Sequence, residues 1–161
     1  MLIRKTFKFE ASHILPKHKG KCSRLHGHSW VLHVFVQGPI DPSTNFVMDY
    51  GEISEAVKPL IENLDHRHLG QWVTEDKKIP IGMDGELSVA NWAVPDMPIT
   101  FYPSSENILV WIGTQLWDKI NWSKLALEET CTSYCELTRD EFNKDRTMRI
   151  TLTPRAVKER R

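Results

Sequence analysis

Two runs of alternating residues joined by a short connection constrain this chain more than anything else in it. Residues 3 to 13 place Ile3, Phe7, Phe9, Ala11 and His13 on one face and Arg4, Thr6, Lys8, Glu10 and Ser12 on the other, with Lys5 the one exception. That is the period of a strand with a single buried face. Residues 14 to 25 carry Pro16, Gly20 and several charges and read as a connecting loop. From His26 to Gln37 the alternation resumes, with His26, His28, Trp30, Leu32, Val34 and Val36 sharing a face. Matching runs so close together predict an antiparallel pair, which sets the end of the first strand beside the start of the second.

This pairing has a chemical consequence. His13 ends the first apolar face, His26 and His28 begin the second, and residues two apart in a strand point the same way. Three imidazoles therefore converge at one end of the sheet. A single histidine on an apolar face is ordinarily a hydrogen-bonded core residue. Three together point to a metal, and a three-histidine set with an open fourth position is the pattern of catalytic zinc. Cys22, four residues before His26, admits two roles: fourth ligand of a closed structural site, or a thiolate beside the metal acting as base or nucleophile. The spacing leaves both open. All seven histidines (13, 18, 26, 28, 33, 66 and 68) lie in the first 68 residues, which loads the chemistry into the N-terminal half.

Beyond the second strand the period changes. Ile53, Val57, Leu60, Ile61 and Leu64 recur at helical spacing and predict an amphipathic helix over 52–64, with a kink or weak turn at Pro59 and Asp65-His66 at its exit. A second helix is signalled by Ser104 or Ser105 as N-cap, Glu106 in the first turn, and a stripe of Ile108, Ile112, Leu116 and Ile120. Two further strands are expected over 124–131 and 147–153. The order ββααββ is an α+β pattern, an antiparallel sheet with two helices on one face. Between the helices, 71–103 holds four prolines, two glycines and no clear period, so a lid, a binding loop or a hairpin is expected there.

Two carboxylates stand out against this frame. Glu129 shares a face with Leu125, Leu127 and Cys131, where an unpaired charge would cost several kcal/mol, so it requires a cationic or multi-donor partner. Neighbouring Glu128 points the other way. Asp65 beside His66 is either a solvated turn or a carboxylate that orients a histidine proton shuttle.

Composition bounds the rest. The 161 residues are 40 % hydrophobic and 26 % charged, and a chain of this size buries roughly 68–70 % of its unfolded surface, enough for one core. A single domain over 1–161 with a long insertion at about 71–103 is expected. Lys+Arg 21 balances Asp+Glu 21, which gives nucleic acid no electrostatic footprint. No apolar run suits a membrane, and the start Met1 to Glu10 has no signal-peptide core, so a cytoplasmic protein is expected. Three cysteines, an odd count, fit thiols in a reducing compartment.

The ordered set F-E-A-S-H (Phe9 to His13), C-S-R-L-H-G-H (Cys22 to His28), M-D-Y (Met48 to Tyr50), L-D-H (Leu64 to His66), P-S-S-E-N (Pro103 to Asn107) and E-E-T-C-T (Glu128 to Thr132) resembles the 6-pyruvoyl-tetrahydropterin synthase family. The spacing C-x-x-x-H-G-H resembles its 6-carboxy-5,6,7,8-tetrahydropterin synthase branch. The resemblance runs from about residue 3 to 153, apart from 71–103.

Residue by residue, this resemblance implies that His13, His26 and His28 ligate Zn2+ and that Cys22 is the catalytic thiol. It makes Asp65 and His66 a proton relay and Glu129 the anchor for the pterin's guanidine-like edge. Ser104, Ser105 and Glu106 match the family's substrate-pocket segment, with Ser104 where Thr is common. It further implies a tunnelling fold (T-fold) assembling into an oligomeric barrel, a homohexamer of two stacked trimers, with active sites at subunit interfaces. The implied activity is a zinc-dependent lyase on 7,8-dihydroneopterin triphosphate that yields 6-carboxy-5,6,7,8-tetrahydropterin, acetaldehyde and triphosphate. Two alternatives are a synthase that stops at 6-pyruvoyl-tetrahydropterin and a non-catalytic, zinc-stabilised pterin-binding protein.

Overall fold

The structure, a computed structural model, describes residues 1–70, 93–98 and 101–144, together with the backbone of 73–74 and 77–78. The expected strand over 147–153 and most of 71–103 lie outside the described residues.

The first two runs form the longest strands, β1 (Leu2–His13) and β2 (His26–Gln37). They pair antiparallel along their whole length, from Leu2 with Gln37 to His13 with His26. In this register Phe7, Phe9 and Ala11 are buried together with Trp30, Leu32 and Val34, while Arg4, Lys8 and Glu10 face solvent. Trp30 buries its ring completely and still satisfies its indole N–H, which donates to the Ala11 carbonyl at 3.1 Å.

Helix α1 (Tyr50–Leu64) starts two residues earlier than the hydrophobic stripe suggests, because the Asp49 side chain caps it by accepting from the Gly51 N–H. It runs unbroken through Pro59. Proline and residue 55, whose carbonyl loses its partner, both lie on the exposed face, where water can satisfy that carbonyl. Ile53, Val57, Leu60 and Leu64 are buried beneath the helix.

After α1 the chain forms the two-residue strand β3 (Arg67–His68), which runs parallel to β1 at Ala11 and Ser12. The sheet is therefore mixed at that edge. Gly70 follows at φ 68°, and a Cβ there would meet the Phe101 carbonyl oxygen at 2.5 Å, so only glycine fits. A small separate hairpin pairs β4 (Val73–Thr74) with β5 (Lys77–Lys78), inside the segment where sequence left the structure open.

Helix α2 (Ser105–Leu116) takes Ser104 as its N-cap, whose side chain accepts from the Asn107 N–H. The expected stripe of Ile108, Ile112, Leu116 and Ile120 is buried throughout, although Ile120 lies beyond the helix end. β6 (Lys124–Thr130) then joins β2 antiparallel, with Val31 opposite Glu128.

Its hairpin partner is β7 (Ser133–Thr138), not anticipated from the sequence, followed by the short helix α3 (Arg139–Lys144). Among the described residues the main sheet has the strand order β3-β1-β2-β6-β7. Phe142 of α3 closes one end of the core against Trp117 and Trp122, with ring centroids 5.3 and 5.6 Å apart. Among the described residues no helix is long and apolar enough to cross a membrane.

Candidate metal and pterin site

The β1/β2 register sets His13 directly opposite His26, with His28 one turn of the pleat further along the same face. All three side chains offer ligand atoms within 4.8 Å of one another. The hydrogen bonds fix which atoms these are. His13 Nδ1 lies 2.8 Å from the Pro103 carbonyl and His26 Nδ1 lies 2.7 Å from the Arg24 carbonyl. A carbonyl only accepts, so both Nδ1 atoms carry the proton and both Nε2 atoms carry lone pairs.

Those two Nε2 atoms face each other at 3.0 Å, and the buried Nε2 of His28 has no hydrogen-bond partner. Imidazole nitrogens converging on one point, two of the rings steered by a carbonyl behind them, are the donor set of a divalent metal site. The residues fit zinc. Burial holds His13 down to about 4, only partly offset by its bond to Pro103, and burial likewise lowers His28 against the opposing pull of Glu129. Neutral imidazole is the ligating form. Trp30 packs edge-on against His13 and His28, at centroid distances of 5.2 and 5.4 Å, and supplies an apolar floor.

Glu129 comes to this same cluster. The β6–β7 register slips between Glu128 and Thr130, so Glu129 sits in a β-bulge, a device that re-aims a side chain. Its Oε1 lies 3.4 Å from His13 Nε2 and 3.7 Å from His28 Nε2. Glu128 points to the opposite face, as alternation demands, and there meets His33 Nε2 at 2.7 Å.

The other expected site residues are placed as follows. Cys22 is a half-buried free thiol in the 3-10 turn Lys21–Ser23, outside the group of converging ligand atoms. Ser105 and Glu106 begin α2 near Cys135 of β7, whose thiol is pushed up to about 11 by burial first and then by the Glu106 and Glu129 charges. Ser104 is occupied as the cap.

Asp65 and His66 form a clamped turn. Asp65 Oδ1 accepts from the Glu10 N–H, the His66 N–H donates to the Glu10 carbonyl, and Asp65 Oδ2 meets His66 Nδ1 at 2.8 Å. The bond from the Glu10 N–H is the chief cause that lowers the Asp65 carboxyl. His66 takes φ 57°, a strained conformation for a side chain, and its ring is 78 % exposed. It opens on a pocket lined by Glu10, Ser12, Gly27, Ser29 and Arg67, and His28 of the imidazole cluster lines the same pocket.

Sequence reasoning missed the carbonyls of Arg24 and Pro103, which orient two imidazoles, and Cys135 beside Glu129. Backbone carbonyls carry no residue signature. Cys135 lies on β7, a strand that was not anticipated.

Fold and site together define a T-fold α+β protein carrying a trihistidine cluster able to hold a metal ion. The sequence profile described as 6-pyruvoyl tetrahydropterin synthase matches residues 2–140. A 6-carboxy-5,6,7,8-tetrahydropterin synthase of Synechocystis sp. is 32 % identical over 139 residues, covering 82 % of this chain and 88 % of its own. One from Haemophilus influenzae is 30 % identical over 140 residues, covering 83 % and 96 %. A solved 6-pyruvoyl tetrahydropterin synthase from Caenorhabditis elegans superposes with TM-score 0.62 at 20 % identity, covering 86 % of this chain and 94 % of that one. The chain belongs to the 6-pyruvoyl tetrahydropterin synthase family.

Proposed function

We propose that this protein is a zinc-dependent pterin lyase that converts 7,8-dihydroneopterin triphosphate to 6-carboxy-5,6,7,8-tetrahydropterin with release of acetaldehyde and triphosphate. The observation that carries the proposal is the convergence of three imidazole rings, two of them with Nε2 lone pairs fixed by carbonyls on Nδ1, beside a carboxylate on an otherwise apolar face. The names of the curated relatives at 32 % and 30 % identity support the product.

His13, His26 and His28 would hold the zinc, which supplies Lewis-acid polarisation of the substrate's side-chain oxygens when bound. Glu129 would accept two parallel N–H bonds from the pterin edge, which orients the ring and gives the half-buried carboxylate its partner. Cys22, free and half-buried on the loop that leads into His26, would take the proton from the side-chain carbon. His66, held by Asp65, would return one.

Two features support assembly of copies of this chain. Among the described residues, Leu2–Glu10 of β1 pairs with a strand on one side only, and β7 ends the sheet at its other edge. Open edges of this kind template pairing with a further strand. Met1, Leu2, Phe46, Tyr50 and Tyr134 are exposed apolar side chains near these edges. The second feature is the exposed ring of His66, a relay that a homohexamer would bring to the thiol of another subunit.

Incubation with 7,8-dihydroneopterin triphosphate, with and without a chelator, followed by product mass analysis, tests the reading. The 6-carboxy product, lost on chelation, is expected. A 6-pyruvoyl product identifies the sister activity, and no turnover by zinc-loaded protein leaves only a pterin-binding role.

A further inference from the structure

Glu129 lies nearer the imidazole cluster than a pterin anchor alone requires. Its Oε1 is 3.4 Å from His13 Nε2 and 3.7 Å from His28 Nε2. A tetrahedral metal with bonds of about 2.0–2.1 Å separates neighbouring ligand atoms by about 3.3–3.4 Å. The carboxylate oxygen therefore stands at the spacing of a fourth ligand from His13 Nε2 and about 0.3 Å beyond it from His28 Nε2. His13 Nε2 presents a lone pair and His28 Nε2 is buried without a hydrogen-bond partner, so a carboxylate oxygen among them is favoured only with a cation between. Glu129 lies on the same face as the histidines, at the point where the β6–β7 register shifts.

Building on the metal and pterin roles proposed above, we propose that Glu129 is a releasable fourth ligand: its Oε1 closes the coordination of the ion held by His13, His26 and His28, and pterin binding removes it. The exclusion is one of orientation. A carboxylate that turns both oxygens to two parallel N–H groups of a pterin draws Oε1 off the ion. Arrival of the ring then opens the metal position that the substrate's own oxygens need, and the resting site stays closed to other ligands.

Two measurements on the full chain test this without using turnover. The first is zinc affinity, by competition with a chromophoric chelator, for the wild type and Glu129→Gln. The second is the affinity of 6-methylpterin, read by fluorescence, for zinc-loaded and metal-free wild type. This probe has the ring N–H groups but no side-chain oxygen to reach a metal.

Glu129→Gln is expected to bind one zinc about tenfold or more weakly, at least the loss that follows removal of an outer partner of a metal ligand. By reciprocity, 6-methylpterin is expected to bind the metal-free protein about tenfold more tightly than the zinc-loaded protein, because ion and ring compete for one carboxylate. The second arm needs no variant to fold. Equal zinc affinities, or equal 6-methylpterin affinities with and without zinc, overturn the proposal and leave the metal site and the anchor standing. A wild type that binds no zinc overturns the metal role itself, failure of 6-methylpterin to bind either form overturns the anchor, and the releasable ligand falls with either.

Discussion

His13 and His26 face each other Nε2 to Nε2 at 3.0 Å, while each turns its Nδ1–H to a backbone carbonyl, Pro103 for one and Arg24 for the other. Two lone pairs at that distance repel unless a proton or a metal ion joins them. One metal ion per chain is therefore expected, and His26→Ala and His28→Ala should each lose most of it while the sheet stays folded. Elemental analysis of the purified variants checks this, and full zinc content in both would remove these residues from the site.

Burial of His13 makes the metal-free protein acid-sensitive. Its folded value of about 4 lies below the 6.5 of an exposed histidine, so between those limits the unfolded chain binds more protons than the folded one. The stabilisation is complete above about pH 6.5 and is lost as pH falls toward 4, up to about 3 kcal/mol. His28 shifts in the same direction, for the same reason. The Tm of metal-stripped protein should fall across this window, and the fall should be shallower in His13→Gln. An equal slope would mean that His13 is not buried neutral.

Cys22→Ala distinguishes a catalytic thiol from a structural ligand. With the cysteine outside the converging ligand atoms, the variant should keep stoichiometric zinc and its Tm while losing turnover. Loss of zinc together with unfolding would instead place the thiol on the metal, because structural zinc binding is part of the folding free energy.

Glu129→Gln should weaken pterin binding to the metal-free protein by roughly tenfold or more, the equivalent of about 1.5–3 kcal/mol for a charge-assisted bond. Isothermal titration with a pterin measures it. Unchanged affinity would take Glu129 out of the pterin site.

His66→Gly separates strain from chemistry. Glycine accepts φ 57° without penalty, so stability should stay within about 1 kcal/mol of wild type while the relay is gone. If relay and thiol meet across an interface, a mixture of His66→Gly and Cys22→Ala proteins, each inactive alone, should regain turnover after subunit exchange. Mixtures that stay inactive, although mass spectrometry shows mixed oligomers, would place thiol and relay in one chain.

The sequence by itself determined the strand pair and what it carries. Alternation over residues 3–13, broken only at Lys5, and over 26–37 fixes which side chains share a face, and so brings His13, His26 and His28 together before any coordinates are known. The stripes of α1 and α2 were equally legible, because 3.6-residue periodicity is a local property, and so was the division of Glu128 and Glu129 between opposite faces.

What the tertiary structure alone decided is long-range. Pro103 reaches His13 across 90 residues of chain, and only packing of the segment before α2 against the sheet end puts its carbonyl there. β7 escaped notice because Ser133–Thr138 is short and half polar; it becomes a strand through its ladder with β6. That ladder slips at Glu129, and only the folded sheet brings the carboxylate that alternation leaves on the apolar face to 3.4 Å from an imidazole nitrogen. A β-bulge is set by the pairing of two strands, so no single-strand pattern encodes it.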